Sequence, residues 1–364
     1  MRASHLRVGS APVAFRMAFG HAAATRDRAE NVLVEVEDAE GRKGVGEGCP
    51  RSYVTGESVP GALAFLGAHR ESLLAITDIA TLRTWIAANA PAIDTNPSAF
   101  CAVELALIDL FARQAGQDLE SFLGIAQRPA AIRVSAVYGA GKAAAFHLQA
   151  TLFGLNDMRD AKLKIGGHFA RDLYRAKMLA HRGPLRLDAN NFWLDAQSAM
   201  PTLARLAPHA WAVEEPITPR DWAGLAEIAR TTGLAIILDE SLLTLADLEA
   251  APKEISIVPN LRVSKHGGLL RSLDILSQVS GPVIVGAQVG ETSILARAGL
   301  VLANAAGARL RGLECAYAPL LLSRDVATPS IGFGRSGRIR AGKVIGRPGS
   351  GLALTPSFNN TLVD

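Results

Sequence analysis

The chain has 364 residues, 49% hydrophobic and 20% charged, a balance that excludes disorder and suits one large domain with a smaller companion. Its 38 basic and 34 acidic residues leave a net charge of +4 and are scattered singly, without the basic blocks and aromatic interleaving of a nucleic-acid groove. Cys49, Cys101 and Cys315 are too few and too far apart for a disulfide framework or zinc knuckle, and no apolar run suits a signal peptide or bilayer span; neither nucleic acid nor membrane is an expected partner, and a reducing cytoplasm is the expected setting.

Residues 1–128 read as an α+β unit. NVLVEVE, from Asn31 to Glu37, alternates apolar and polar residues, and AEGRKG then turns the chain into VGEG, which predicts an antiparallel hairpin. From Val59 to Gln117 the pattern is helical and alanine-rich, with breaks at Pro91 and Pro97.

From Pro129 the rhythm changes. Eight short β-branched runs begin at Ile132, Ala161, Leu185, Trp211, Ala235, Ile255, Pro282 and Arg309, and each gap between neighbours has room for one helix. Eight strand–helix units predict an α/β fold, a (β/α) barrel of TIM type over residues 129–323 behind the amino-terminal capping domain. Residues 324–364 form a Gly-rich tail expected to pack back on that cap.

The polar residues ending these runs carry the chemistry. Lys164, Asp188, Glu214, Asp239, Lys265 and Glu291 are spaced by 24, 26, 25, 26 and 26 residues, as if each unit set one residue at the same height on the catalytic face. Asp188, Glu214 and Asp239 end three consecutive strands, and three hard oxygen donors without His or Cys favour Mg²⁺, with Mn²⁺ as the other candidate. A single LDES motif is more often a loop or a helix cap; three carboxylates on adjacent strands reverse those odds. Lys164 and Lys265 lie four strands apart in a ring of eight, hence on opposite sides of a substrate. Burial beside cations lowers a lysine's pKa toward a useful base, and Lys162, on the same side of its strand as Lys164, can supply such a charge. A lone lysine here would be read as snorkelling at the rim; an opposed pair flanking a metal site reads as acid/base machinery.

AKLKIG, LDANN, VEEP, LDES and VSKHGG, in this order and spacing, resemble the muconate lactonizing branch of the enolase superfamily, which also contains the mandelate racemase-like enzymes. The resemblance spans nearly the whole chain. It implies metal ligands at Asp188, Glu214 and Asp239, with Glu215 the less favoured choice, acid/base lysines at Lys164 and Lys265, and support from Lys162. It places Asn190 behind the ligands and Glu291 near Lys265. It also implies association of copies into a homo-oligomer. The implied activity is that of a divalent-metal-dependent isomerase, a cycloisomerase or racemase/epimerase, which removes a proton α to a substrate carboxylate through an enediolate. A dehydratase on the same site and a non-catalytic barrel binding an acidic ligand are the competing readings.

Substrate choice in such enzymes resides in two cap loops, here Phe15 to Arg26 and Cys49 to Ser58, with Arg16, Phe19, His21, Arg51 and Tyr53 as candidates. Dipeptide epimerases carry Asp-x-Asp on the eighth strand, where this chain has Cys315 and Tyr317. Glu314 and Tyr317 complete the substrate-binding candidates, and the stretch looks closer to cycloisomerases. GFGRSG at Gly332–Gly337 fits a dinucleotide fingerprint but follows no clear strand and opens no helix, so it reads as a loop.

Overall fold

A computed structural model describes residues 2–21, 24–126 and 132–363; the side chains of residues 17–21 and 24–26 lie outside the described set. The expected boundary at 128/129 therefore falls outside the described residues.

Three antiparallel strands, β1 (His5–His21), β2 (Ala24–Glu37) and β3 (Lys43–Gly48), build the cap sheet in the order β1-β2-β3. The predicted hairpin is β2–β3, turned at Gly41 (φ 77°) and pinned by Asp38 accepting from Arg42 N at 2.9 Å. The structure adds β1, where Gly9, Ala11 and Val13 are buried and Ser10, Pro12 and Ala14 between them are not, the alternation of a half-buried strand.

β3 carries Gly44, Gly46 and Gly48 on one face because a helix backbone lies against them. A Cβ on Gly46 would stand 1.8 Å from Ala102 O, and one on Gly48 1.9 Å from Ser98 O. That helix, Pro97–Gln114, is buried over nearly its whole length and holds the cap together.

The barrel strands are β4 (Ala136–Tyr138), β5 (Ala161–Lys164), β6 (Leu185–Asp188), β7 (Ala212–Glu214), β8 (Ala235–Leu238), β9 (Ile257–Leu261), β10 (Val283–Val285) and β11 (Leu310–Leu313). They neighbour one another in chain order and run parallel, with a helix in each connection. Ser135 N donates to Leu313 O at 2.8 Å, joining the first strand's entry to the last strand. This is the α/β barrel of TIM type with an amino-terminal cap. Inside it, Ala212, Ala235, Ile237, Val258 and Ile284 form a separate buried apolar cluster, distinct from the main core between strands and helices.

Cap carboxylates fasten the barrel. Glu104 accepts from Leu269 N at 2.6 Å and Leu270 N at 3.0 Å, capping helix Leu269–Ser277 from the other domain. Glu47 does the same for helix Ser293–Ala306, accepting from Thr292 N, Thr292 Oγ1 and Leu295 N. Glu120 pairs with Arg297, Oε1 at 2.7 Å from Nη1. The tail returns across the cap, where Val8 and Val363 exchange backbone hydrogen bonds of 2.8 and 2.9 Å.

Candidate active site

Register across the sheet pairs Lys164 with Asp188, Asp188 with Glu214, and Glu214 with Ile237. Three of the named residues thus form one row. Asp239 lies two residues beyond Ile237, just past the end of β8, one pleat higher. Lys265 is in the turn after β9, and Glu291 is six residues past β10. The sequence spacing predicts equal heights, and the structure corrects this: strands in a barrel tilt and stagger, so each unit climbs relative to the last.

The row is buried and cross-linked. Lys162 Nζ lies 2.9 Å from Glu214 Oε2, 3.0 Å from Glu314 Oε2 and 3.2 Å from Asp188 Oδ2. These carboxylates overcome the penalty of burial and hold the Lys162 ammonium above its ordinary pKa. Lys164 Nζ donates to Asn190 Oδ1 at 2.8 Å and lies 3.9 Å from Asp188 Oδ2. Burial is the main force pushing its pKa down; the Lys162 charge adds to it and Asp188 opposes it. Lys265 is fully buried, and Nζ donates to Asp239 O at 2.7 Å, Asp239 Oδ1 at 2.9 Å and Asn260 O at 3.0 Å. Burial, with Arg262 nearby, lowers it to about 7.

Several neighbours escaped the sequence reading. Asn260 Nδ2 donates to Glu214 Oε1 at 2.9 Å. Arg262 Nη2 donates to Asp239 Oδ2 and lies 3.8 Å from Glu214 Oε1, while Nη1 reaches Gln288 Oε1 at 3.3 Å. Their signal was present: Val258, Asn260 and Arg262 alternate, so if Val258 faces the lumen the other two follow. Arg186 Nη2 holds Glu314 Oε1 at 2.8 Å and its Nη1 holds Asp160 at 2.9 Å.

Glu215, the less favoured ligand, is a loop pin. With φ at 39°, it accepts from Asp239 N, Ser241 N, Ser241 Oγ and Asn191 Nδ2. Glu291 accepts from Gln288 N at 2.6 Å; burial, with the Glu47 charge adding to it, pushes it up to about 8 against the Gln288 hydrogen bond and the Arg262 and Arg51 charges.

The substrate candidates divide. Phe19 and His21 carry side chains outside the described residues, and Arg16 is exposed on β1. Tyr53 is half-buried on the second cap loop. Arg51 is turned inward, donating to Glu30 O, Pro50 O, Asn31 Oδ1 and Val289 O. Tyr317 donates to Ser135 O at 2.5 Å and accepts from Val137 N, which makes it a staple across the barrel seam. Glu314 is engaged by Lys162 and Arg186.

Three oxygen donors from Asp188, Glu214 and Asp239 match a hard divalent ion in chemistry. Asp188 Oδ2 is buried and has the Lys162 ammonium at 3.2 Å and the Lys164 ammonium at 3.9 Å, so cationic charge already sits where an ion bound by these carboxylates would lie. As the side chains stand, cations interleave the carboxylates, and among the described residues no three His, Cys, Asp or Glu side chains are drawn together tightly enough to hold an ion.

Family models match both parts of the chain: "Mandelate racemase / muconate lactonizing enzyme, N-terminal domain" over residues 5–124 and "Enolase C-terminal domain-like" over residues 142–357. The chain belongs to this family of the enolase superfamily. A hydrophobic dipeptide epimerase of Enterococcus faecalis is 27% identical over 310 residues, covering 81% of this chain and 84% of the relative. A dipeptide epimerase of Methylococcus capsulatus, solved with Mg and the dipeptide L-Arg-D-Lys, superposes with a TM-score of 0.84 at 27% identity, covering 97% of this chain and all of the other. The 2-chloromuconate cycloisomerase of Rhodococcus opacus shares the fold over the full length of both chains, with a TM-score of 0.86 at 23% identity. The epimerase relative is an isomerase, and the chain is an enolase-superfamily isomerase. No helix among the described residues is long and apolar enough to cross a membrane.

Proposed function

We propose that the chain moves a proton at the carbon α to a carboxylate, as a Mg²⁺-dependent racemase or epimerase of an amino-acid derivative whose nitrogen is uncharged. The observation carrying this reading is the contrast between Lys162 and Lys164. Lys162 is kept charged by three carboxylates, whereas Lys164, two residues on, is depressed by burial and by that charge. A neutral Lys164 can take the α-proton while Asn190 Oδ1 fixes its nitrogen. Asp188, Glu214 and Asp239 would hold the metal, which when bound supplies Lewis-acid stabilisation of negative charge growing on the substrate carboxylate. Lys265, anchored beyond Asp239, serves the opposite face.

An uncharged nitrogen is favoured by the end of β11. Glu314 is already shared by Lys162 and Arg186, and Cys315 and Tyr317 bring no charge to receive an ammonium. A second reading, cycloisomerisation, is supported by Lys265, whose nitrogen serves three acceptors and leaves Lys164 as the less encumbered base.

The test is mass-detected deuterium uptake in D₂O with Mg²⁺, across N-acylated amino acids, dipeptides, proline derivatives, hydroxy acids and unsaturated diacids. Uptake at the α-carbon of N-acyl substrates, lost in Lys164→Ala, is the expected result. Conversion confined to unsaturated diacids selects the cycloisomerase, and uptake by free dipeptides in preference to N-acyl compounds refutes the uncharged-nitrogen argument.

A further inference from the structure

Arg262 occupies an unusual place. Its Nη2 contacts Asp239 Oδ2 and lies 3.8 Å from Glu214 Oε1, joining two of the three carboxylates assigned to the metal. A guanidinium stays charged at any accessible pH, so this interaction cannot be relieved by losing a proton. Its side chain is 10% exposed, and Nε is buried without a partner, so the group is not saturated by its surroundings.

Local charge gives the position its meaning. Asp188, Glu214, Asp239 and Glu314 are each within ion-pair distance of a cationic side chain of the chain itself: Lys162 for Asp188, Glu214 and Glu314, Arg186 for Glu314, and Arg262 and Lys265 for Asp239. Buried carboxylates left unpaired are costly, and here they are compensated by side chains of the chain itself. A divalent ion arriving among them meets carboxylates that already have cationic partners. Lys162 is committed to Asp188, Glu214 and Glu314 together, and Lys265 is held by two backbone carbonyls as well as Asp239. Arg262 is the cation with an alternative. Its Nη1 already reaches Gln288 Oε1 at 3.3 Å, and Gln288 belongs to the turn closed by Glu291, whose carboxyl feels the Arg262 charge.

We propose that Arg262 is a resident counter-cation of the carboxylate site, competing with the divalent ion for Asp239 and Glu214 and thereby setting metal affinity. Metal entry then requires the guanidinium to withdraw toward the Gln288–Glu291 turn. This inference rests on the metal reading above, and the experiment separates the two.

Mn²⁺ is the probe, titrated into the metal-stripped wild-type chain, Arg262→Gln and Arg262→Lys, with unbound Mn²⁺ read by its electron paramagnetic resonance signal. Arg262→Gln should bind Mn²⁺ about tenfold or more tightly than wild type, because a unit charge at contact distance from two ligands is removed. Arg262→Lys, which keeps the charge without the fork, should fall between them. In EDTA, Arg262→Gln should melt below wild type, and Mn²⁺ should raise its melting temperature by more. Wild-type binding with equal or weaker binding by Arg262→Gln, with the Arg262→Lys affinity also unchanged or weaker, overturns the proposal and leaves the metal reading standing. No saturable Mn²⁺ binding by any of the three overturns both.

Discussion

Lys164 and Lys265 are the same residue type near strand ends, but their surroundings assign them different freedom. Lys164 has one hydrogen bond and a side chain still 16% exposed; Lys265 is enclosed by three oxygen acceptors. A lysine removes a proton only when neutral, and one lowered to about 7 gains its neutral form as pH rises through that value. Where Lys265 is the base, α-proton exchange should therefore climb about tenfold per pH unit below pH 7 and level off above it. Lys164→Ala should lower interconversion of the two configurations by ~10³-fold or more in both directions, and should remove isotope uptake from the configuration whose α-proton faces Lys164. The residue types and their order were legible in the sequence because strand-end carboxylates and lysines recur at unit spacing. Arg51 was not: it sits on a cap loop like a substrate ligand, and only its four inward acceptors, one of them in the barrel 238 positions away, reveal a structural tie.

At the scale of elements, the eight strands could be located from their β-branched runs and the gaps between them. Their relative heights could not, because tilt and stagger are properties of the closed ring rather than of any segment. β3 illustrates the opposite case, since alternating glycines in KGVGEG mark one face that must admit a helix backbone. Gly46→Ala would drive a Cβ into Ala102 O and should destabilise the chain by ~2 kcal/mol or more in urea unfolding, by forcing strand and helix apart. The helix caps supplied by Glu47 and Glu104 give a pH signature. Burial raises these carboxyls to about 7 and about 8, so the folded chain retains protons that the unfolded chain releases above pH 4.5. Their contribution to stability is full below that value and is lost as pH rises through 7 and 8. Unfolding free energy measured from pH 5 to 7 should fall for the wild type and fall less steeply for Glu104→Gln.

At the scale of the whole molecule, cap and barrel are joined by charges buried between them. Glu120 and Arg297 are both fully buried, and Asn304 Nδ2 donates to the same carboxylate at 3.0 Å. Arg297→Ala would strand that carboxylate without its cation and should cost ~3–5 kcal/mol in denaturant unfolding. Such long-range pairings, separated by 177 positions, carry no local signature, so the docking of the domains was outside what residue patterns could reveal.

The apolar cluster low in the barrel has a kinetic meaning. Ala212, Ala235, Ile237, Val258 and Ile284 fill the lumen with apolar side chains, Ile237 in register with Glu214 and Ala212 one pleat below it, so the site is a vessel with a stopped base rather than a conduit. Reactant cannot enter at one end while product drains from the other; both contend for a single neck, and each turnover must empty the chamber before the next can fill it.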